Sequence, residues 1–108
     1  MRPATLLFRV AVTGASMEPT VRDGDWLLVR RSRGTPRIGE VVVAVDPREP
    51  ERLLVKRVTA IAGDQVTVAG DQPDRSTDSR HFGALPSSAI VGRPVLRYAP
   101  LERAGLVR

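Results

Sequence analysis

The chain has no cysteine, one histidine (His81) and one lysine (Lys56) in 108 residues. Without cysteine there is no disulfide, no thiol nucleophile and no thiolate metal site. One histidine cannot build a transition-metal centre alone, so neither a metal nor any other cofactor is expected. Aromatic residues are only 4% of the chain, so aliphatic side chains must fill the core. The abundant valine favours β structure. Long apolar runs are also missing. A spanning helix needs about 20 apolar residues, and the segment before Ser16 is interrupted by Arg2, Pro3 and Arg9. It lacks the regions of a cleavable signal peptide as well. No transmembrane segment is expected, and the location reads as cytoplasmic, with peripheral membrane association as the alternative.

What is present is basic. The formal net charge is +5, yet the arginines are scattered apart from Arg30, Arg31 and Arg33. No aromatic platform is interleaved with them, so nucleic acid is not an expected partner. The length fits one domain, residues 1–108, with a core over about 9–98.

Short β runs alternate with turn residues. Strands are expected over Phe8–Thr13, Trp26–Arg31, Glu40–Val45, Arg52–Ile61, Gln65–Ala69 and Ile90–Tyr98. The run 40–45 is too apolar to face water on either side. Gly24 and Gly63 mark turns, and 34–39 reads as a loop. Gly92 and Pro94 mark a bulge or an edge strand. Residues 70–86 form a long polar loop of the kind that carries function, and 101–108 reads as a frayed tail. The fold class is mainly β, a single compact antiparallel domain, with at most a helical turn near Met17–Val21.

Three segments carry chemistry. Arginine holds its proton in proteins, whereas lysine loses it when burial or neighbouring charge lowers its pKa. Lys56 is therefore the only basic side chain besides His81 able to act as a base. In a strand, Leu54, Lys56 and Val58 share one face, where two aliphatic neighbours exclude water from the amine. Forty residues earlier, Gly14-Ala15-Ser16-Met17-Glu18-Pro19-Thr20 holds a serine at a turn. A serine hydroxyl needs a base to become nucleophilic, and at such a turn its own N–H can help to stabilise an oxyanion. Gly14 permits close backbone approach, and Pro19 stiffens the exit. The third segment, 70–83, is dense in hydrogen-bonding groups: Ser76 can orient the lysine amine, and Asp78 and Arg80 can pair to brace the loop. Each segment taken alone also reads as an ordinary turn serine, strand lysine or solvated loop.

In this order the segments resemble the signal peptidase I family of serine endopeptidases. The resemblance rests on Ser16-Met17-Glu18-Pro19-Thr20 with Gly24-Asp25, on Lys56-Arg57-Val58 with Gly63-Asp64, and on Gly70-Asp71, Ser76-Thr77-Asp78-Ser79-Arg80 and Phe82-Gly83. It implies Ser16 as nucleophile, Lys56 as general base, Ser76 as holder of the amine, and Asp78 and Arg80 as braces. Gly14, Ala15, Met17 and Pro19 would line the oxyanion and substrate cleft. The substrate would be a precursor protein that loses an N-terminal leader. Where some members carry a hydroxyl two residues before the nucleophile, this chain has Gly14. A small member without an anchor is most similar to the proteases that mature nickel-type superoxide dismutase. The alternatives are a leader peptidase of exported proteins and, from another class, a repressor-type self-cleaving or peptide-binding regulatory domain.

Overall fold

The computed structural model describes residues 6–32 and 35–108. Arg33 of the arginine cluster and Gly34 of the expected loop lie outside them. The described residues form eight strands: β1 (Leu7–Ala11), β2 (Trp26–Arg31), β3 (Val41–Asp46), β4 (Glu49–Ala62), β5 (Gln65–Ala69), β6 (Leu85–Pro86), β7 (Ile90–Ala99) and β8 (Gly105–Leu106). They make one sheet in the order β1-β2-β7-β3-β4-β5-β6, with β8 paired to β7. Every pairing is antiparallel.

β3 explains the interior. Its alternate side chains point to opposite faces, and both faces are covered. Val41 and Val43 join Val12, Met17, Val21, Leu27 and Val29 in one cluster. Val42 and Ala44 join Val58, Val66, Val68, Leu85 and Ile90 in a second. The run thus needed apolar residues at every position, as its composition suggested. Each fully buried valine contributes roughly 1.5–3 kcal/mol of transfer free energy.

The expected break after β3 is a tight hairpin. Asp46 ends the strand, and its carboxylate accepts the Arg48 N–H at 2.8 Å. β4 resumes at Glu49 and runs 14 residues, longer than the reading of 52–61. Gly24 and Gly63 do adopt positive φ, 89° and 61°.

Two expectations are corrected. β7 is no edge strand, since it lies between β2 and β3. Pro94 has no N–H for the ladder, and it sits where the β2 register shifts between Leu28 and Val29, so the bulge reading holds. Gly92 allows a close crossing: a Cβ there would stand 2.6 Å from the Arg30 carbonyl oxygen. The tail is not frayed either. β8 pairs with β7 through Leu96↔Leu106 and Arg97↔Gly105, and the Arg103 guanidinium reaches buried Asp25 at 2.9 Å. Asp25 read from sequence as part of the turn and of the serine motif, and its partner in the tail was not visible there.

Candidate active site

The site is assembled from β4, the turn after β1 and the loop 70–83. Lys56 pairs with Val42 in the β3–β4 register, and Leu54, Lys56 and Val58 are all buried. Lys56 is only 4% exposed. Its Nζ donates to Ser76 Oγ at 3.0 Å, the one hydrogen bond the amine makes among the described residues. An ammonium carries three donors, so its charged form is poorly served here. Burial pushes the Lys56 pKa down, with Arg48 and Arg52 adding to the effect against the opposing pull of Asp78 and Asp46.

Ser76 is saturated. Its Oγ donates to Asp78 Oδ2 at 2.9 Å, and accepts from Lys56 and from the Gly70 N–H at 3.1 Å. A hydroxyl has one donor and two acceptor sites. With the Ser76 proton turned to the Asp78 carboxylate, Ser76 can only accept from the amine. A neutral amine then keeps its lone pair for another partner.

Asp78 sets that polarity. Burial alone would raise its pKa. Hydrogen bonds from the Arg80 guanidinium and N–H, the Ser76 hydroxyl and the Gly70 N–H together outweigh burial and hold the carboxyl well below its ordinary range. Arg80 Nε lies 3.0 Å from Asp78 Oδ1, and Arg80 Nη2 donates to the Pro73 carbonyl at 2.9 Å. The loop is thus pinned by the pair expected to brace it. Asp78 also caps the short helix α1 (Ser79–Phe82), accepting from the Arg80 N–H.

Ser16 lies in a turn tied down through backbone. Its carbonyl accepts the Gln72 N–H at 2.7 Å. Met17 anchors the turn at 2% exposure, and its Sδ accepts the Asp71 N–H at 3.4 Å. Among the described residues nothing accepts the Ser16 hydroxyl or its N–H. Both donors are therefore unspent on the protein. Gly14 has φ 86°, and its N–H is committed to Asp23 at 2.8 Å.

Ser16 and Lys56 line one pocket of about 230 Å³, bounded by residues 10–17, 53–56, Arg48, Arg52, Arg75 and Thr77. Gly14, Ala15 and Met17 stand at this pocket as expected. Pro19 does not: it is exposed and absent from the lining.

Sequence reasoning missed two features. Gly70 is the joint of the site: a Cβ there would stand 2.5 Å from the Ser16 carbonyl oxygen and 2.6 Å from Ser76 Cβ. Arg57 grips Asp71 through two bonds of 2.8 Å, and Asp71 also accepts from Thr20, which ties the serine turn to the loop. Both lay within the motifs, but nothing in their spacing announced the contact.

The chain matches the signal peptidase family, peptidase S26, over residues 3–72 and 66–99. It is 34% identical to the mitochondrial ATP-independent inner membrane protease subunit 1a of Arabidopsis thaliana, covering 90% of this chain and 73% of that one. It is 35% identical to the mitochondrial inner membrane protease subunit 1 of Xenopus tropicalis, over 89% and 71%. A probable signal peptidase I-2 of Synechocystis is 23% identical over 89% and 65%. These relatives do not support the nickel dismutase assignment. The inner-membrane names of the two mitochondrial relatives also overturn the cytoplasmic expectation and point to membrane association, although no helix among the described residues is long and apolar enough to cross a membrane.

Proposed function

The chain belongs to the signal peptidase family, peptidase S26, and on that premise we propose that this serine-type leader peptidase cleaves through Ser16 with Lys56 as general base. The observation that carries the reading is a buried lysine, held by one hydrogen bond to Ser76, at the pocket that Ser16 also lines. The Ser16 hydroxyl makes no hydrogen bond to Lys56 in the free protein; catalytic contacts of this kind tighten when substrate fills the site.

Neutral Lys56 accepts the Ser16 proton as Oγ attacks the scissile carbonyl. The oxyanion receives the unspent Ser16 N–H. Lys56, now charged, gives its proton to the leaving amine. Water then attacks the acyl-enzyme with Lys56 again as base, which regenerates Ser16. Ser76 and Asp78 orient the amine, and Arg80 holds Asp78. The substrate is a precursor whose leader is presented at a membrane, the setting that the relatives' names indicate. A nickel dismutase precursor has no support from them and serves only as a comparison substrate.

The test is intact-mass analysis of a membrane-presented precursor and of a nickel dismutase precursor after incubation with wild type, Ser16→Ala or Lys56→Met. Wild type should remove one defined leader from the first. Both variants should lose about 10⁴-fold or more in rate. Wild-type rates in Ser16→Ala would overturn the nucleophile, and wild-type rates in Lys56→Met would overturn the base.

A further inference from the structure

The pocket shared by Ser16 and Lys56 is one-sided in charge. Arg48, Arg52 and Arg75 line it with Lys56, and no Asp or Glu does. Arg48 is already engaged: its guanidinium holds buried Asp46 at 2.9 Å and lies 5.4 Å from the centre of the Phe82 ring. Among the described residues Arg52 has only a 3.9 Å pair with Glu49, both more than half exposed, an interaction of little strength in water. Arg75 has no ion pair among the described residues and is exposed. Two arginine forks therefore stand open at a site that receives a peptide.

Their placement sets a scale. Arg52 and Lys56 line the same pocket and are four residues apart in β4, Arg52 lying just past the last regular pair at Leu53, so they are separated by at most about 13 Å of extended strand. A peptide laid extended beside β4 advances at about the same rate, roughly 3.3 Å per residue. Arg52 then faces a substrate side chain about four residues from the reacting bond. Arg75 immediately precedes Ser76, whose Oγ is 3.0 Å from Lys56 Nζ, so it belongs near the reacting end. A carboxylate matches a guanidinium fork with two parallel hydrogen bonds. The same field disfavours lysine or arginine at those positions.

We propose that Arg52 and Arg75 select precursors that carry Asp or Glu within about four residues of the scissile bond. The proposal rests on the peptidase reading above and adds a substrate class to it.

The experiment measures equilibrium binding of fluorescent leader peptides to Ser16→Ala, so it does not depend on turnover. Paired peptides carry Asp or Asn at each of the four positions on either side of the cut. At one or two positions the Asp peptide should bind about five- to tenfold tighter, and the preference should shrink in high salt. It should fall to about unity when Arg52→Gln and Arg75→Gln are added. Arg52→Glu should transfer the preference to a Lys peptide at the position nearest Arg52. Equal binding of every pair, or a preference that survives both arginine replacements, overturns the proposal. So does an unchanged Asp/Asn ratio alongside weakened binding to anionic phospholipid vesicles, which would assign the arginines to lipid. Absence of cleavage by the wild type would instead count against the peptidase reading, so the two failures are distinguishable.

Discussion

Ser16 and Lys56 rest on different halves of the molecule, and the halves are built differently. The serine turn stands on the cluster of Met17, Val21, Leu27 and Val43. Buried Met17, backbone hydrogen bonds and the Thr20–Asp71 contact hold it, and among the described residues the Ser16 hydroxyl makes no hydrogen bond. The lysine belongs with the cluster of Val42, Val58, Val66 and Val68. A polar network in which Ser76 has no capacity left holds its amine. An apolar footing positions a group without consuming its hydrogen bonds. A saturated network fixes direction, because each proton has one place to go. In the proposed mechanism this would leave the nucleophile free to react and give the base its orientation.

Gly70 is where the halves meet, so the largest effect is expected there. In Gly70→Ala the new Cβ meets the Ser16 carbonyl oxygen on one side and Ser76 on the other. Overpacking of this kind costs about 1–3 kcal/mol, and a displacement near 1 Å at reacting groups costs about 100-fold in rate. Gly92→Ala is the comparator, since its Cβ would meet the Arg30 carbonyl oxygen and Val29, away from the pocket. Thermal melts should show destabilisation in both. Turnover per folded molecule should fall steeply only in Gly70→Ala. Equal turnover losses would remove the distinction between the joint and an ordinary tight crossing.

The same contrast governs what could be read from sequence. The strands of the core were legible because alternation and unbroken valine runs map directly onto burial, as Val41–Asp46 shows. Ser16, Lys56, Ser76, Asp78 and Arg80 stood out in the sequence as motif residues because the proposed chemistry restricts which side chains can serve. Contacts that depend on the third dimension were not legible. Pro94 left a bulge and an edge both open because its missing N–H is a local fact, whereas the choice between them is made by the pairing, in which one step of β2 from Leu28 to Val29 spans two of β7 from Leu96 to Pro94. Arg103 looked like tail until Asp25, 78 positions away in sequence, gave it a partner. Pro19 was placed at the cleft by the family resemblance, but it is exposed and outside the pocket lining. The arginines of the pocket come from a hairpin and a loop that only the sheet order brings together.

Asp78→Asn breaks the directional half alone, with a smaller loss of about 10- to 100-fold in kcat. The introduced amide can donate to Ser76, which then turns its proton toward the lysine lone pair. The change also shows in stability. The folded carboxyl lies below its ordinary value of 3.8, so its contribution is fully present above that value and is lost as pH falls below it. Wild type should therefore lose stability between about pH 4 and 2 more steeply than Asp78→Asn. Parallel melting curves against pH in the two proteins would show that the Asp78 network does not depend on its charge.

The smallest effect separates the charges around the base by sign. Lys56 is pushed down first by burial, then further by Arg48 and Arg52, while Asp78 and Asp46 pull it up. If the neutral amine is the base, kcat rises with pH along a limb that lies below the ordinary lysine value of 10.5. Removing a positive neighbour relieves repulsion of the ammonium, so Arg52→Gln should move the limb to higher pH. Removing the negative neighbour should do the opposite, and Asp78→Asn should move it to lower pH beneath its reduced plateau. Arg52 is the cleaner probe, because its only ion pair among the described residues is the exposed one with Glu49 and its loss strands no buried carboxylate. Arg48 would strand Asp46. Opposite displacements in the two variants would identify the titrating group as one lying between Arg52 and Asp78, which is where Lys56 sits. Displacements of the same sign, or a rate independent of pH from about 6 to 10, would exclude the Lys56 amine as the group whose proton limits the reaction.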